Sequence, residues 1–253
     1  MAKKTSAPPA SLLGLGAALL LSAAFLMKPF PLLVFAGLAP LYMLAMRLEP
    51  GKSFWEPLEV VGLALAISFY SFHFFESTYI VQGILQAIGL MICFGLFGWM
   101  RQQLGERTST LAIIVFWLAY EYAILKLLPA ANFIFLADTF AVRTEWVRWN
   151  IHTGYLGAGL WILVANWLIY QGVLVEGIRW PWLAAGLVVI AAPIGYGYLL
   201  EGPALTRAAT IANYESHEKI TFSTNGEWIG RTSAWISVLI LLFAAVKSKT
   251  KRK

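Results

Sequence analysis

The chain has 253 residues, of which 59% are hydrophobic and 13% charged, and its formal net charge is +6. A soluble globular chain carries about 25% charged residues, so this composition excludes an ordinary soluble enzyme and indicates a protein embedded in lipid. Five of the 19 cations lie in the last seven residues, directly after an apolar segment: Lys247, Lys249, Lys251, Arg252 and Lys253. Clustering of this kind favours a membrane-orienting role for the basic excess, and we expect no nucleic-acid partner.

Long apolar runs recur throughout the chain. A helix that crosses the bilayer core needs roughly 20 apolar residues, with about 17 to 25 the usual range. Eight segments approach this length, near residues 11–27, 30–46, 59–75, 79–100, 111–128, 155–173, 181–200 and 232–246. We therefore predict an all-α integral membrane protein, in which residues 1–253 form a single transmembrane domain, a polytopic bundle of about eight transmembrane helices.

The first apolar segment follows Lys3 and Lys4, as the apolar part of a signal peptide would. A cleavage site with small residues does not follow it; the chain continues through Lys28, Pro29, Phe30 and Pro31 into another apolar run. This pattern predicts a tight turn between two spanning helices rather than a removed leader.

The cations predict the orientation of the bundle, because cytoplasmic loops carry an excess of Lys and Arg. With the N terminus inside, 12 cations fall on the cytoplasmic side: Lys3, Lys4, Arg47, Lys52, Arg101, Arg107, Arg179 and the five of the C-terminal tail. The other side receives 7: Lys28, Lys126, Arg143, Arg148, Arg207, Lys219 and Arg231. We predict that both termini are cytoplasmic (N-in/C-in).

Two external connections, 129–154 and 201–231, are longer than the others. Long loops often carry function. The first mixes polar residues with aromatic ones, among them Asn132, Trp146 and Trp149. Such a mixture suits the headgroup of an amphiphile, and it equally suits a re-entrant loop packed on the bundle.

Glu121 lies well inside the fifth apolar segment. A charge within the membrane is costly, so an acid at this depth is a candidate functional residue by default. Lys126 is five residues further on and lies on a different face of the helix from Glu121. We therefore expect the carboxyl group to form a hydrogen bond to another helix. Glu121 either locks the bundle structurally or faces a cavity for a headgroup or substrate.

His73 and Glu76 stand at positions i and i+3 near the external end of the third segment, where a continuing helix would place them on one face. They form either a fragment of an acid/base or metal site or an interfacial polar rim. Two ligands are too few for a metal site, and the only cysteine, Cys93, lies in an apolar run typical of a core position. The residues predict no metal, no cofactor and no catalytic motif.

Four stretches together resemble the apolipoprotein N-acyltransferase family. Residues 145–166, EWVRWNIHTGYLGAGLWILVAN, are similar to its tryptophan-rich loop followed by a TG-x-LG turn and a helix ending near a VN pair. Phe30-Pro31 followed by residues 37–41 resembles its second-helix entry, and Trp117 with Glu121 resembles its W…EW helix. Residues 220–231, ITFSTNGEWIGR, resemble the segment before its final helix. The four stretches resemble the family in their order and spacing, the predicted number of helices is also eight, and the resemblance extends over most of the chain.

The resemblance implies a nitrilase-like domain between the seventh and eighth helices, with a Glu–Lys–Cys triad whose cysteine accepts an acyl chain from phospholipid. Here the interval is the short external loop 201–231, which contains Glu215, Glu218 and Lys219 but no cysteine. An aromatic residue expected after Pro129 is replaced by Ala130, and Ile124 stands where the family has an arginine. The resemblance therefore implies the membrane part of the family without its catalytic apparatus.

We expect a multi-pass module of the bacterial inner membrane that binds phospholipid or lipoprotein acyl chains, without autonomous catalysis. Its partners would be membrane phospholipid, and a lipoprotein or a separate nitrilase-type or other membrane subunit. The candidate lipid- or substrate-binding residues are Glu121, Asn132, Trp146, Trp149, Tyr155, His73 and Glu76. The alternative is a structural or assembly subunit of a larger membrane complex. An independent enzyme built on Glu121, or on His73 with Glu76, is the third hypothesis.

Overall fold

In the computed structural model, residues 8–48, 54–105, 111–175, 177–215 and 227–250 are described here, with the side chains of 213–215 left aside. These residues form helices and turns and contain no strand. The longer helices are α1 Ala10–Leu26, α4 Trp55–Phe72, α5 Ile80–Leu104, α6 Ala112–Leu127, α8 Tyr155–Ile169, α9 Trp180–Leu199 and α11 Glu227–Thr250. The shorter helices are α2 Val34–Gly37, α3 Ala39–Ala45, α7 Asn150–Thr153 and α10 Arg207–Glu215. The predicted all-α class is confirmed for this part of the chain.

Four helical segments in the described ranges are long and apolar enough to cross a membrane: Ser77–Leu104, Tyr155–Leu174, Trp180–Leu199 and Glu227–Thr250. Two shorter apolar segments are Ala10–Leu26 and Pro31–Ala45. A bundle of eight full spans is therefore not confirmed, and the orientation stays a prediction. Lys3, Lys4, Lys52, Arg107, Lys219, Lys251, Arg252 and Lys253, which were used to orient the chain, lie outside the described residues.

Most of the larger contacts join helices that lie near each other in the chain, and the exceptions include α2 on α8 and α11 on α6. Helix α1 packs on α4 and on the short helices α2 and α3, α4 packs on α5, and α8 packs on α9. Helix α11 returns to pack mainly on α6, with further contacts to α5 and α8. This return places the start of α11 beside the connection between α6 and α8, where most of the candidate residues lie.

The predicted second span, 30–46, is broken rather than continuous. A 3-10 turn at Pro31–Leu33 leads into α2, and α3 begins at Ala39 with Pro40 in its first turn. Proline has no N–H and fits best in the first turn of a helix, which is where Pro40 lies in the new helix. The side chain of Asn166 bridges the break: its Oδ1 accepts from the Leu38 and Ala39 N–H groups at 2.7 and 3.0 Å, and its Nδ2 donates to the Val34 carbonyl at 2.8 Å.

The predicted loop 201–231 contains a helix and ends earlier than expected. Helix α10 occupies Arg207–Glu215, and α11 begins at Glu227 rather than near 232. Glu227 suits the first turn of a helix, since an acid there interacts favourably with the helix dipole, and it also pairs with Lys126 of α6. Glu218 and Lys219 lie outside the described residues.

Candidate functional site

The connection from α6 to α7, residues 128–149, is a re-entrant loop that packs on the bundle. It contains 3-10 turns at Leu136–Phe140 and Thr144–Val147, and Phe135 and Phe140 are each 1% exposed. Gln86 of α5 pairs with the backbone of Ile134 in both directions, accepting from its N–H at 2.9 Å and donating to its carbonyl oxygen. Of the two interpretations of this loop, the packed one describes residues 134–140 and 146–149, most of which are buried. The side chains that remain accessible define where a ligand can bind.

Glu121 anchors the same loop from α6. Its Oε1 accepts from the Trp117 indole N–H at 3.0 Å and from the Leu136 backbone N–H at 3.0 Å. Its Oε2 is buried, has no hydrogen-bond partner in the described part of the chain, and faces Gly159 of α8. The interhelical hydrogen bond predicted for Glu121 is therefore not what the structure shows: its hydrogen-bond partners are the Leu136 backbone of the loop and Trp117 of its own helix. Lys126 instead pairs with Glu227 of α11, with 2.8 Å between Nζ and Oε1.

Tyr155, at the start of α8, donates its hydroxyl hydrogen to Asp138 of the re-entrant loop. Asp138 also accepts from the Phe135 N–H at 2.8 Å and lies 4.0 Å from Arg207, whose guanidinium stacks on the Phe135 ring. Burial raises the pKa of the Asp138 carboxyl above its ordinary value. Asp138, Tyr155 and Arg207 line a cavity of about 240 Å³ between the loop and the start of α10.

A second, larger space is an apolar groove of about 740 Å³ between α8 and α9, which we call the α8–α9 groove. Its walls are mainly aliphatic and aromatic, and His152 and Thr153 lie at the end nearest the re-entrant loop. The α8 residues that line it, from Gly157 to Val164, extend over about 10 Å of helix. Its other lining residues include Trp149, Val189, Ala192, Tyr196 and Trp228.

The two candidate tryptophans have different roles. Trp149 lines the α8–α9 groove and packs edge-on against Trp161, with 5.5 Å between ring centroids. Trp146 is buried, donates its indole N–H to the Tyr198 hydroxyl at 3.0 Å, and packs against Phe30 and Phe140. Trp149 therefore contributes to a surface that a ligand can reach, whereas Trp146 attaches the loop to α9.

The prediction that His73 and Glu76 share a helix face is wrong. Helix α4 ends at Phe72, and Phe74 and Phe75 take left-handed backbone conformations with φ of 52° and 60°. His73 stacks on Tyr79 with 3.9 Å between centroids, and Glu76 is exposed. Burial lowers the pKa of the His73 imidazole below 6.5, and the positive charge of Lys28 lowers it further.

The structure thus gathers Glu121, Tyr155, Trp146 and Trp149 around the re-entrant loop. Asn132 is exposed at the surface of that loop. His73 and Glu76 belong to the separate turn between α4 and α5. Among the described residues, no group of three or more His, Cys, Asp or Glu side chains is placed to hold a metal ion.

Several important polar residues were not selected from the sequence. Gln86 and Asn166 are almost fully buried within apolar helices, and each makes long-range hydrogen bonds to backbone. Polar groups inside membrane segments pair with other polar groups. Gln86 and Asn166 each stand in a long apolar run, the same pattern that makes Glu121 a candidate residue. The cluster of Tyr122, Lys126, Glu227 and Arg231 joins α6 to α11 and had no local sequence signal.

Comparisons were made with protein-family models, curated proteins and solved structures. No family model matches the chain. No curated protein matches it. No solved structure matches it either, so the likeness to the apolipoprotein N-acyltransferases rests on the sequence stretches 30–41, 117–121, 145–166 and 220–231.

Proposed function

We propose that this chain is a phospholipid-binding membrane module, similar to the membrane part of apolipoprotein N-acyltransferases and without autonomous acyl transfer. The observation that carries the proposal is the α8–α9 groove. In a bilayer, an open apolar groove of about 740 Å³ is filled by acyl chains, since water cannot hydrogen-bond to its walls.

The ends of the groove differ in chemistry, which suits an amphiphile. His152 and Thr153 lie at one end with the indole rings of Trp149 and Trp228, and Val164 and Val189 lie deeper. Indole rings favour the membrane–water interface, where lipid headgroups lie. In this proposal the acyl chain lies along α8 and the headgroup lies beside the re-entrant loop.

The proposal includes a multi-pass bundle of about eight helices in the bacterial inner membrane, with both termini cytoplasmic. The shorter helices α1, α4 and α6 and the broken α2–α3 pair would cross the bilayer with the four long segments. The acyl-accepting cysteine of the family has no counterpart in 201–231, and Cys93 is buried in α5. A thiol in apolar surroundings is a poor nucleophile, which supports a binding role rather than acyl transfer.

Lipid retention tests the binding proposal. Ala192 is exposed on α9 and lines the groove, so Ala192→Trp fills it, whereas Ala184→Trp adds the same bulk outside the groove two turns earlier on α9. Native mass spectrometry of the purified protein should show co-purified phospholipid in the wild type and in Ala184→Trp, and a loss in Ala192→Trp. Equal retention in all three would overturn the groove as the lipid site.

Two further outcomes decide between the proposal and its alternatives. In cells depleted of their own N-acyltransferase and expressing this chain, lipoprotein N termini should keep free α-amines by mass spectrometry; a third acyl chain would contradict a non-catalytic module. A stoichiometric protein partner in place of lipid would favour the structural or assembly subunit.

A further inference from the structure

A further cleft lies between α6 and α11, and none of its lining residues is shared with the α8–α9 groove. Its lining residues are Tyr122, Arg231, Ala234, Trp235 and Val238, and its volume is about 480 Å³. The four α11 residues stand at i, i+3, i+4 and i+7, so they form one stripe along the helix. We propose that this α6–α11 cleft is a separate binding site for an anionic phospholipid, with Arg231 as the contact to the headgroup phosphate.

The position of Arg231 along α11 suits a phosphate contact. The 24 residues of α11 extend about 36 Å, which exceeds the roughly 30 Å of the bilayer core, so its first turn lies among the headgroups. Arg231 is one turn from the start of the helix, and its side chain is 39% exposed. Trp235 and Val238 follow one and two turns deeper, where they contact an acyl chain.

The charges around Arg231 favour an anion. Glu227 pairs with two cations, Lys126 Nζ at 2.8 Å and Arg231 Nη2 at 2.8 Å. One negative charge therefore faces two positive charges. This contact uses one terminal nitrogen of a guanidinium group that carries five N–H donors. Arg231 also interacts with the Tyr122 hydroxyl, and its side chain lines the cleft, where a phosphate takes two of its N–H donors in a bidentate contact.

Packing holds the cleft in shape. Gly230 brings α11 so close to α6 that a Cβ at this position would lie 2.5 Å from the Tyr122 ring. The Tyr122 hydroxyl donates to Glu227 at 2.8 Å, which fixes the ring as one wall of the cleft. The carboxylate that orients Arg231 and the ring that lines the cleft are therefore positioned by the same contact.

Lipid binding to the full chain in nanodiscs tests this inference. The probe is phosphatidylglycerol titrated into phosphatidylcholine nanodiscs, with bound lipid counted by native mass spectrometry. Arg143 is the matched control: it is 40% exposed and also pairs with one acid, Glu145, at 3.2 Å. Arg231→Gln should weaken phosphatidylglycerol binding at least about tenfold, and Arg143→Gln should leave it unchanged.

Two further measurements distinguish a lipid headgroup from a free anion, and the α6–α11 cleft from the α8–α9 groove. Inorganic phosphate at millimolar concentration should not displace the lipid; displacement would indicate a free-anion site instead. Equal loss in Arg231→Gln and Arg143→Gln, or no loss in either, would overturn the assignment. Ala192→Trp should leave this binding intact, so failure of the α8–α9 groove and failure of the α6–α11 cleft are distinguishable.

Discussion

Trp161 of α8 donates its indole N–H to the backbone carbonyl of Val189 on α9, with 2.6 Å between Nε1 and the oxygen. Four residues after Val189 stands Pro193, inside the helix. Proline has no N–H, so it leaves the Val189 carbonyl without its helical partner. Trp161 supplies the missing donor from a neighbouring helix and joins the two walls of the α8–α9 groove.

A double-mutant cycle measures this hydrogen bond. Trp161→Phe should lower the free energy of unfolding by about 1 to 3 kcal/mol, because a buried carbonyl loses its donor. Pro193→Ala restores the backbone N–H to α9, so the same Trp161→Phe change should cost less in that background. Denaturation in detergent gives all four values. An equal cost in both backgrounds would show that Trp161 acts through ring packing alone.

The sequence predicts the helices well and their interruptions poorly. Apolar runs locate every long helix, because burying backbone hydrogen bonds in lipid demands helical segments. The break before α3 is stabilised by Asn166, which lies 128 residues from Leu38, and the re-entrant loop is held by Gln86, 48 residues from Ile134. Such pairs depend on which helices become neighbours, and neither periodicity nor composition fixes that.

For the candidate site, Glu121 and Trp149 are visible locally, as an acid in an apolar run and an aromatic residue in a long loop, whereas Tyr155 follows only from the family resemblance. Their partners Asp138 and Leu136 follow only from the folded loop. The prediction that His73 and Glu76 share a face requires a helix that extends to Glu76. Phe74 and Phe75 instead take left-handed backbone conformations after the end of α4.

Asn166→Leu should be among the most destabilising substitutions in the chain. It removes four hydrogen bonds, to Leu38, Ala39, Val34 and Ile162, and leaves the backbone groups at the break between α2 and α3 without this partner in an apolar interior. We expect a loss of about 3 kcal/mol or more in unfolding free energy. Asn132→Leu makes the same change at an exposed position and should stay within about 0.5 kcal/mol of the wild type. Similar losses in both variants would contradict the bridging role of Asn166.

Glu121 should tolerate an amide but not an alkyl group. Glu121→Gln keeps an oxygen that accepts from Trp117 and Leu136, so its stability should lie within about 1 kcal/mol of the wild type. Glu121→Leu leaves both donors unpaired and should cost about 2 kcal/mol or more, measured by thermal unfolding in detergent. If Glu121→Leu retained full stability and lost bound phospholipid, the ligand-facing interpretation of this carboxyl would be correct instead.

Two glycine-to-alanine changes test how closely α11 approaches α6. A Cβ at Gly230 would lie 2.5 Å from the Tyr122 ring and 2.9 Å from Leu156, so Gly230→Ala must push α11 away. We expect it to cost about 1 to 3 kcal/mol. Gly16, in α1, has nothing within 4 Å of such a Cβ, so Gly16→Ala should be neutral or stabilising by up to about 1 kcal/mol. Equal unfolding temperatures for the two variants would argue against the tight α6–α11 contact.

The stability of the turn after α4 should depend on pH through His73. Burial and the positive charge of Lys28 lower the imidazole pKa below its ordinary 6.5, while the charge of Glu76 acts weakly in the other direction. The folded state therefore binds fewer protons than the unfolded state. The contribution of His73 is fully present above pH 6.5 and is lost as pH falls through the lowered pKa. His73→Gln should reduce the drop in melting temperature between neutral and acidic pH, and His152→Gln, at an exposed position, should keep it. A drop unchanged by His73→Gln would place the acid sensitivity elsewhere.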